Sequence, residues 1–154
     1  MHTRIHQLIS GAGLTALLAA TAAWADEATY MAPPGSDGSA PYSQVVMYDD
    51  FIFLSGMLGT VPGTGKLAEG GIGPETRQTM ENISAALARV DAGMDDVLKC
   101  TVFLADIAEW AAMNAEYTTF FTNMPARSAV GVSGLGLDAR VEIECLAAMP
   151  DDDD

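Results

Sequence analysis

Histidine is nearly absent from this 154-residue chain, since its only two, His2 and His6, lie among the first six residues. Those residues belong to a short basic head, MHTRIHQ, followed by the apolar run LISGAGLTALLAATAA and by Ala23-Trp24-Ala25, which has the small-x-small form of a signal-peptidase site. We expect residues 1–25 to be a signal peptide whose removal leaves Asp26 first, and the protein to be periplasmic or secreted. The run carries Ser, Thr and glycines and falls short of the about 20 apolar residues of a spanning helix, so no membrane partner is expected after cleavage. The processed chain then has no imidazole, which excludes Ser-His-Asp and Cys-His nucleophilic machinery and His-ligated zinc. Cysteine is scarce as well. Cys100 and Cys145 are too few for a structural zinc site, and no metal-binding, dinucleotide or Walker-type motif appears, so neither metal nor cofactor is expected.

Positive charge is the third shortage. Seven Lys and Arg face 21 Asp and Glu, a formal charge of −14, and removing Arg4 with the leader makes it −14 − 1 = −15. Such a surface repels phosphate backbones, so nucleic acid and anionic membrane are poor partners. Part of the excess is local: residues 150–154 read as an acidic tail, with Asp151 to Asp154 solvated and without function.

The rest has enough apolar weight, 49% hydrophobic, for one core. Residues 26–40, with Pro33-Pro34-Gly35, read as a flexible lead-in, and the folded domain as residues 41–149. QVVMY and FIFLSG on either side of Asp49-Asp50 predict a hairpin, Pro62-Gly63-Thr64-Gly65 a second turn, and Lys66 to Glu69 a short third strand. Gly73-Pro74 opens a helix whose apolar face is Met80, Ile83, Leu87 and Val90, with Gly93 as its C-terminal cap. VLKCTVFLA predicts a buried strand. Asp106 and Glu109 have capping-box spacing for a second helix with Trp110, Met113, Tyr117 and Phe120 or Phe121 as its apolar face. ARSAVGV and RVEIECLAA complete the set as two strands. This order implies an α+β domain with both helices on one face of a single sheet, and a second sheet face that identical subunits would cover. For Cys100 and Cys145, both on helix-facing strand positions, two buried free thiols are expected; a bridge requires Cα atoms within about 7 Å.

Among the bases of the processed chain, Lys66, Arg77, Arg89, Lys99 and Arg140 have ordinary settings. Arg127 shares a strand face with Ala129 and Gly131, whose small side chains leave room beside a guanidinium that could hold a carboxylate through two parallel hydrogen bonds. The alternative is a strand-end arginine paired with a nearby glutamate. Glu142 and Glu144 share the face opposite Val141, Ile143 and Cys145, and two mutually repelling carboxylates make one of them a candidate proton acceptor; a solvated polar strand face is the alternative.

The segments APYSQ, FLSGMLG, TRQTMENI, KCTVFLADI, NAEYTTFF, PARSAVGV and VEIE stand in the order, and nearly the spacing, of the RidA/YjgF family of enamine and imine deaminases, over Ala40 to Ala148. This resemblance implies a chorismate-mutase-like single mixed sheet with two helices on one face, assembled as a homotrimer with clefts between subunits. It implies that Arg127 grips a substrate carboxylate, that Glu142 positions the attacking water, and that Tyr42, Ser55, Gly56 and Asn114 line the same cleft. The implied activity is cofactor-free hydrolysis of 2-enamino or 2-imino acids to 2-keto acids and ammonia. A non-catalytic carboxylate binder or chaperone-like stress protein of the same fold is the alternative, and RNA cleavage fits the charge and the missing histidine poorly. Ala129 stands where the family often has cysteine, so no role tied to that thiol is available.

Overall fold

Side-chain alternation with a period of two decides most of this structure. The computed structural model describes residues 27–150; the expected signal peptide and the run Asp151 to Asp154 lie outside the described residues. Strands β1 (Thr29–Met31), β2 (Val45–Tyr48), β3 (Phe51–Leu54) and β4 (Met57–Leu58) come first, followed by a hairpin of β5 (Thr60–Val61) and β6 (Lys66–Leu67). Helix α1 (Ile72–Ala88), β7 (Val97–Leu104), α2 (Trp110–Tyr117), β8 (Ala126–Gly131) and β9 (Val141–Ala148) complete the order. The main sheet runs β1-β2-β3-β9-β7-β8, with β4 continuing β3 alongside β9. Among the described residues only β7 and β8 pair in parallel, as expected where a helical crossover joins them. The result is the anticipated α+β architecture, one mixed sheet with both helices on one face.

In β9 the buried residues Val141, Ile143, Cys145 and Ala147 point toward the helices, while Glu142, Glu144 and Leu146 point to the other face. Met80, Ile83 and Leu87 of α1 are fully buried, as their spacing predicts, and Met113, Tyr117 and Phe121 extend that core. Glu75 is buried among them, yet its carboxylate accepts the backbone N–H of Arg140 at 2.7 Å and of Val141 at 3.3 Å, tying the first turn of α1 to the start of β9. Burial of a carboxylate is tolerable only with such partners. The helix-free face instead leaves Phe51, Phe53 and Val130 substantially exposed.

Several expectations need correction. The stretch read as a flexible lead-in contains β1, which pairs with β2 through Tyr30↔Val46 and widens the sheet. The third strand is only Lys66–Leu67 and belongs to the separate β5-β6 hairpin. Helix α1 begins two residues before Pro74, capped by Gly71 at φ 90; the first-turn N–H groups of a helix have no intrahelical partner, so proline fits there as well. Its far end is closed by Asp91 at φ 57, with the Ala92 N–H donating back to the Leu87 carbonyl; an aspartate tolerates that left-handed conformation, and Gly93 lies beyond the cap. At α2, the Asp106 carboxylate accepts the Ala108 N–H as expected, but Glu109 pairs with Arg140 instead of closing a capping box.

Cys100 and Cys145 are joined in a disulfide, not held as free thiols. The antiparallel register of β7 and β9 sets them directly opposite one another on the buried face, with Cα atoms 4.1 Å apart. Their sequence separation is 45 residues, so cross-linking restricts a long segment of the unfolded chain. Replacing both by alanine should lower the unfolding free energy by about 2–4 kcal/mol in urea titrations. The denatured protein should also resist alkylation until a reductant is added; two alkylated sites without reductant would contradict the bridge.

Candidate functional site

The resemblance singles out six residues, and the structure sorts them into two groups. Arg127 and Asn114 form the first. Arg127 is the second residue of β8 and projects toward α2, where its Nη1 donates to Asn114 Oδ1 at 2.7 Å. The guanidinium carbon lies 4.7 Å from the centre of the Tyr117 ring and 5.5 Å from that of Trp110, a cation–π seat. Ala129 shares the strand face as expected, but the guanidinium is walled by these two aromatics. No carboxylate pairs with Arg127 among the described residues, so the reading of a strand-end ion pair does not hold. One of its five N–H donors is committed to Asn114, and the fork stays available for an anion. The Tyr117 hydroxyl is buried without a hydrogen-bond partner, and burial pushes it above the ordinary tyrosine value of 10.0 although the Arg127 charge pulls the other way.

Tyr42, Ser55, Gly56 and Glu142 form the second group, around a cavity of about 810 Å³. The cavity exists because β3 and β4 are joined by a bulge at Ser55-Gly56 and because β4, unlike β3, has β9 as its only partner. Gly56 has a steric reason to be glycine: a Cβ there would overlap Glu142 Oε1. Ser55 Oγ donates to the Ser43 carbonyl at 2.7 Å, so its lone pairs are what it can offer a ligand. Glu142 is partly buried and opposite Leu58 in register. Asn82, Ala85 and Ala86 of α1 and Arg89, which caps its C-terminal end, line the same cavity. The amide nitrogen of Asn82 donates to the carbonyls of Leu58 and Thr60, both at 2.9 Å, and fixes the path of the chain past the cavity.

The two groups do not meet within one chain. Arg127 is in register with Cys100, which is in register with Cys145, so these three side chains share the helix-facing side. Glu142 precedes Cys145 by an odd number of residues and therefore faces the other way.

Sequence reasoning passed over the Trp110 and Tyr117 seat, reading both residues as core alone, and treated Arg89 as ordinary. A signal for the second was present. Asn82, Ala85, Ala86 and Arg89 recur at helical spacing as a polar and small stripe beside the apolar face of α1, the pattern of a helix that borders a cavity.

A family model described as Endoribonuclease L-PSP matches residues 34–149. RutC family protein UK114 of Drosophila melanogaster is 43% identical over 109 residues, 70% of this chain and 79% of that protein. The 2-iminobutanoate/2-iminopropanoate deaminase of Homo sapiens is 39% identical over 115 residues, 74% of this chain and 82% of that one. Among solved structures, E. coli TdcF with bound serine matches with a TM-score of 0.69 at 31% identity, covering 72% of this chain and 90% of that chain.

The contact between Gly56 and Glu142 gives a test of the cavity's construction. Gly56→Ala should destabilise the protein by about 1–3 kcal/mol, the usual cost of overpacking. The same change in a Glu142→Ala background should cost less, with a coupling of at least about 0.5 kcal/mol by denaturant unfolding; strictly additive costs would mean that Glu142 does not occupy the space Gly56 leaves.

Proposed function

This chain belongs to the RidA/YjgF family, and we propose that within it the protein is a hydrolytic deaminase converting reactive 2-imino and 2-enamino acids to 2-keto acids and ammonia. The observation that carries the proposal is the pairing of an arginine fork without a carboxylate partner, Arg127, with a cavity-lining carboxylate, Glu142. The first suits the carboxylate common to all such substrates. The second suits water activation.

In this reading Arg127 holds the substrate carboxylate by two parallel hydrogen bonds and the Trp110 and Tyr117 rings hold the guanidinium plane. An enamine first takes a proton on its β-carbon and gives up one from nitrogen, becoming the imine. Water then adds to the imine carbon as Glu142 accepts one of its protons, and the imine nitrogen takes up a proton. The resulting 2-amino-2-hydroxy acid collapses: the hydroxyl proton passes to the amino nitrogen, the C–N bond breaks, ammonia leaves, and the hydroxyl oxygen becomes the keto oxygen. Positioning and proton transfer suffice because the carbon is electrophilic from the start. The endoribonuclease in the family's description is not proposed for this chain, whose formal charge of −14 repels a phosphate backbone.

Opposite-face placement supports a reading in which the two groups come from different copies. We therefore place the site between subunits, Arg127 and Asn114 of one beside Tyr42, Ser55, Gly56 and Glu142 of the next, in the homotrimer the resemblance implies. The exposed Phe51, Phe53 and Val130 on the helix-free face supply apolar surface for such an assembly. We also propose export: residues 1–25 act as a signal peptide and the mature protein is periplasmic or secreted. Intact mass should begin at Asp26, and a retained Met1 in exported protein would overturn this.

Kinetics on three variants test the activity. Arg127→Lys should be nearly as inactive as Arg127→Ala, because an ammonium cannot replace the fork. Glu142→Gln should bind a 2-keto acid normally and lose about 100- to 10,000-fold in turnover, the usual worth of a positioned base. Co-refolding equal amounts of Arg127→Ala and Glu142→Gln should restore activity at about a quarter of all interfaces, since random assembly pairs intact groups that often. A Glu142→Gln protein with wild-type turnover would leave a carboxylate binder as the function.

A further inference from the structure

Four arginines lie among the described residues, and their partners divide them evenly. Arg77 pairs with Glu116 and Arg140 with Glu109. Arg127 and Arg89 instead donate only to neutral acceptors: Arg127 to Asn114, and Arg89 to the Gln44 side-chain oxygen and, at 3.1 Å, to the Ala32 carbonyl. Although the chain has three times as many acids as bases, half of these guanidiniums have no carboxylate partner. One of them is the proposed carboxylate anchor. The other lines the cavity that holds Glu142.

We propose that Arg89 is a second anion-binding group of the same site and that the preferred substrates are 2-imino or 2-enamino acids with an acidic side chain. This rests on the deaminase reading given above. With the substrate carboxylate on Arg127 and the reacting carbon at Glu142, the side chain is the part left to occupy the rest of the cavity. That cavity extends from Glu142 to the residues at the end of α1. Its walls toward α1 are Asn82, Ala85, Ala86 and Arg89, small residues ending in a cation. Two of the five N–H donors of Arg89 are committed, and the bonds to Gln44 and Ala32 fix the guanidinium without neutralising it. A dianionic substrate entering beside Glu142 in a negatively charged protein needs such a counter-charge; an alkyl substrate does not.

The competing role for Arg89 is structural, a strap from the end of α1 to the segment after β1. The experiment separates the two. Hydrolysis of 2-iminoglutarate and 2-iminobutanoate, each generated in situ by an amino-acid oxidase, is compared for the wild type, Arg89→Gln and Arg89→Lys, with calorimetric binding of 2-oxoglutarate and 2-oxobutanoate to the same proteins. The expected wild-type kcat/KM ratio favours the acidic substrate by about 10- to 100-fold, the range of one charge-assisted hydrogen-bonded contact. Arg89→Gln should collapse that ratio toward one, and Arg89→Lys should retain part of it. Turnover without an acidic preference, or a preference that survives Arg89→Gln, overturns the proposal and leaves the deaminase reading standing, as does an Arg89→Gln protein whose only change is a lower melting temperature. No turnover of either imine, with tighter 2-oxoglutarate binding that Arg89→Gln abolishes, keeps the subsite and rejects the deaminase. Loss of both turnover and Arg89-dependent binding rejects both.

Discussion

A β-strand turns successive side chains to opposite faces, and this alternation governs everything else in the protein. It gives β9 one row of apolar residues for the helices and one carrying Glu142 and Glu144. Through the register of β8, β7 and β9 it sends Arg127 toward α2 and Glu142 away. Within one chain the two groups therefore stand on opposite faces of the sheet. The same alternation leaves Phe51 and Phe53 on the open face, on the strand that ends at the Ser55-Gly56 bulge. The exposed apolar face and the cavity are thus built from adjoining parts of one strand.

Rigidity at the site comes from contacts made elsewhere. The Glu75 carboxylate pins the start of β9 through two backbone N–H groups immediately before Glu142. The Cys100–Cys145 bridge fixes β7 against β9 on the buried side, in line with Arg127 on β8. Asn82 holds the chain after β4 at two carbonyls, and Gly56 leaves the volume that the Glu142 side chain enters. Each is a local constraint that limits how far a side chain of the candidate site can wander.

Charge is distributed with similar economy. Two arginines are neutralised by glutamates at the surface, and two rest on amide and carbonyl oxygens beside the two groups of site residues. Neutral acceptors orient a guanidinium while leaving its charge for a ligand, which an ion pair would not. Composition alone could not reveal this, because all four arginines look equivalent until their partners are known.

Periodicity and turn chemistry in the sequence by themselves determined the hairpin at Asp49-Asp50, the apolar face of α1, the buried and open faces of β9 and the order of the main elements, since these depend on neighbours a few residues apart. The motifs around Arg127 and Glu142 were legible for the same reason: PARS and VEIE are contiguous. Tertiary structure alone decided what depends on register and on distant partners. Whether Cys100 meets Cys145 is set by the alignment of two strands, and whether Thr29–Met31 joins the sheet by an edge that β2 offers. The aromatic seat of Arg127 exists because α2 crosses β8 where it does, and Arg89 borders the cavity because α1 ends beside Gln44. Local sequence encodes which way a side chain points from its own element, but the group it finds there comes from another part of the chain, and only packing brings the two together.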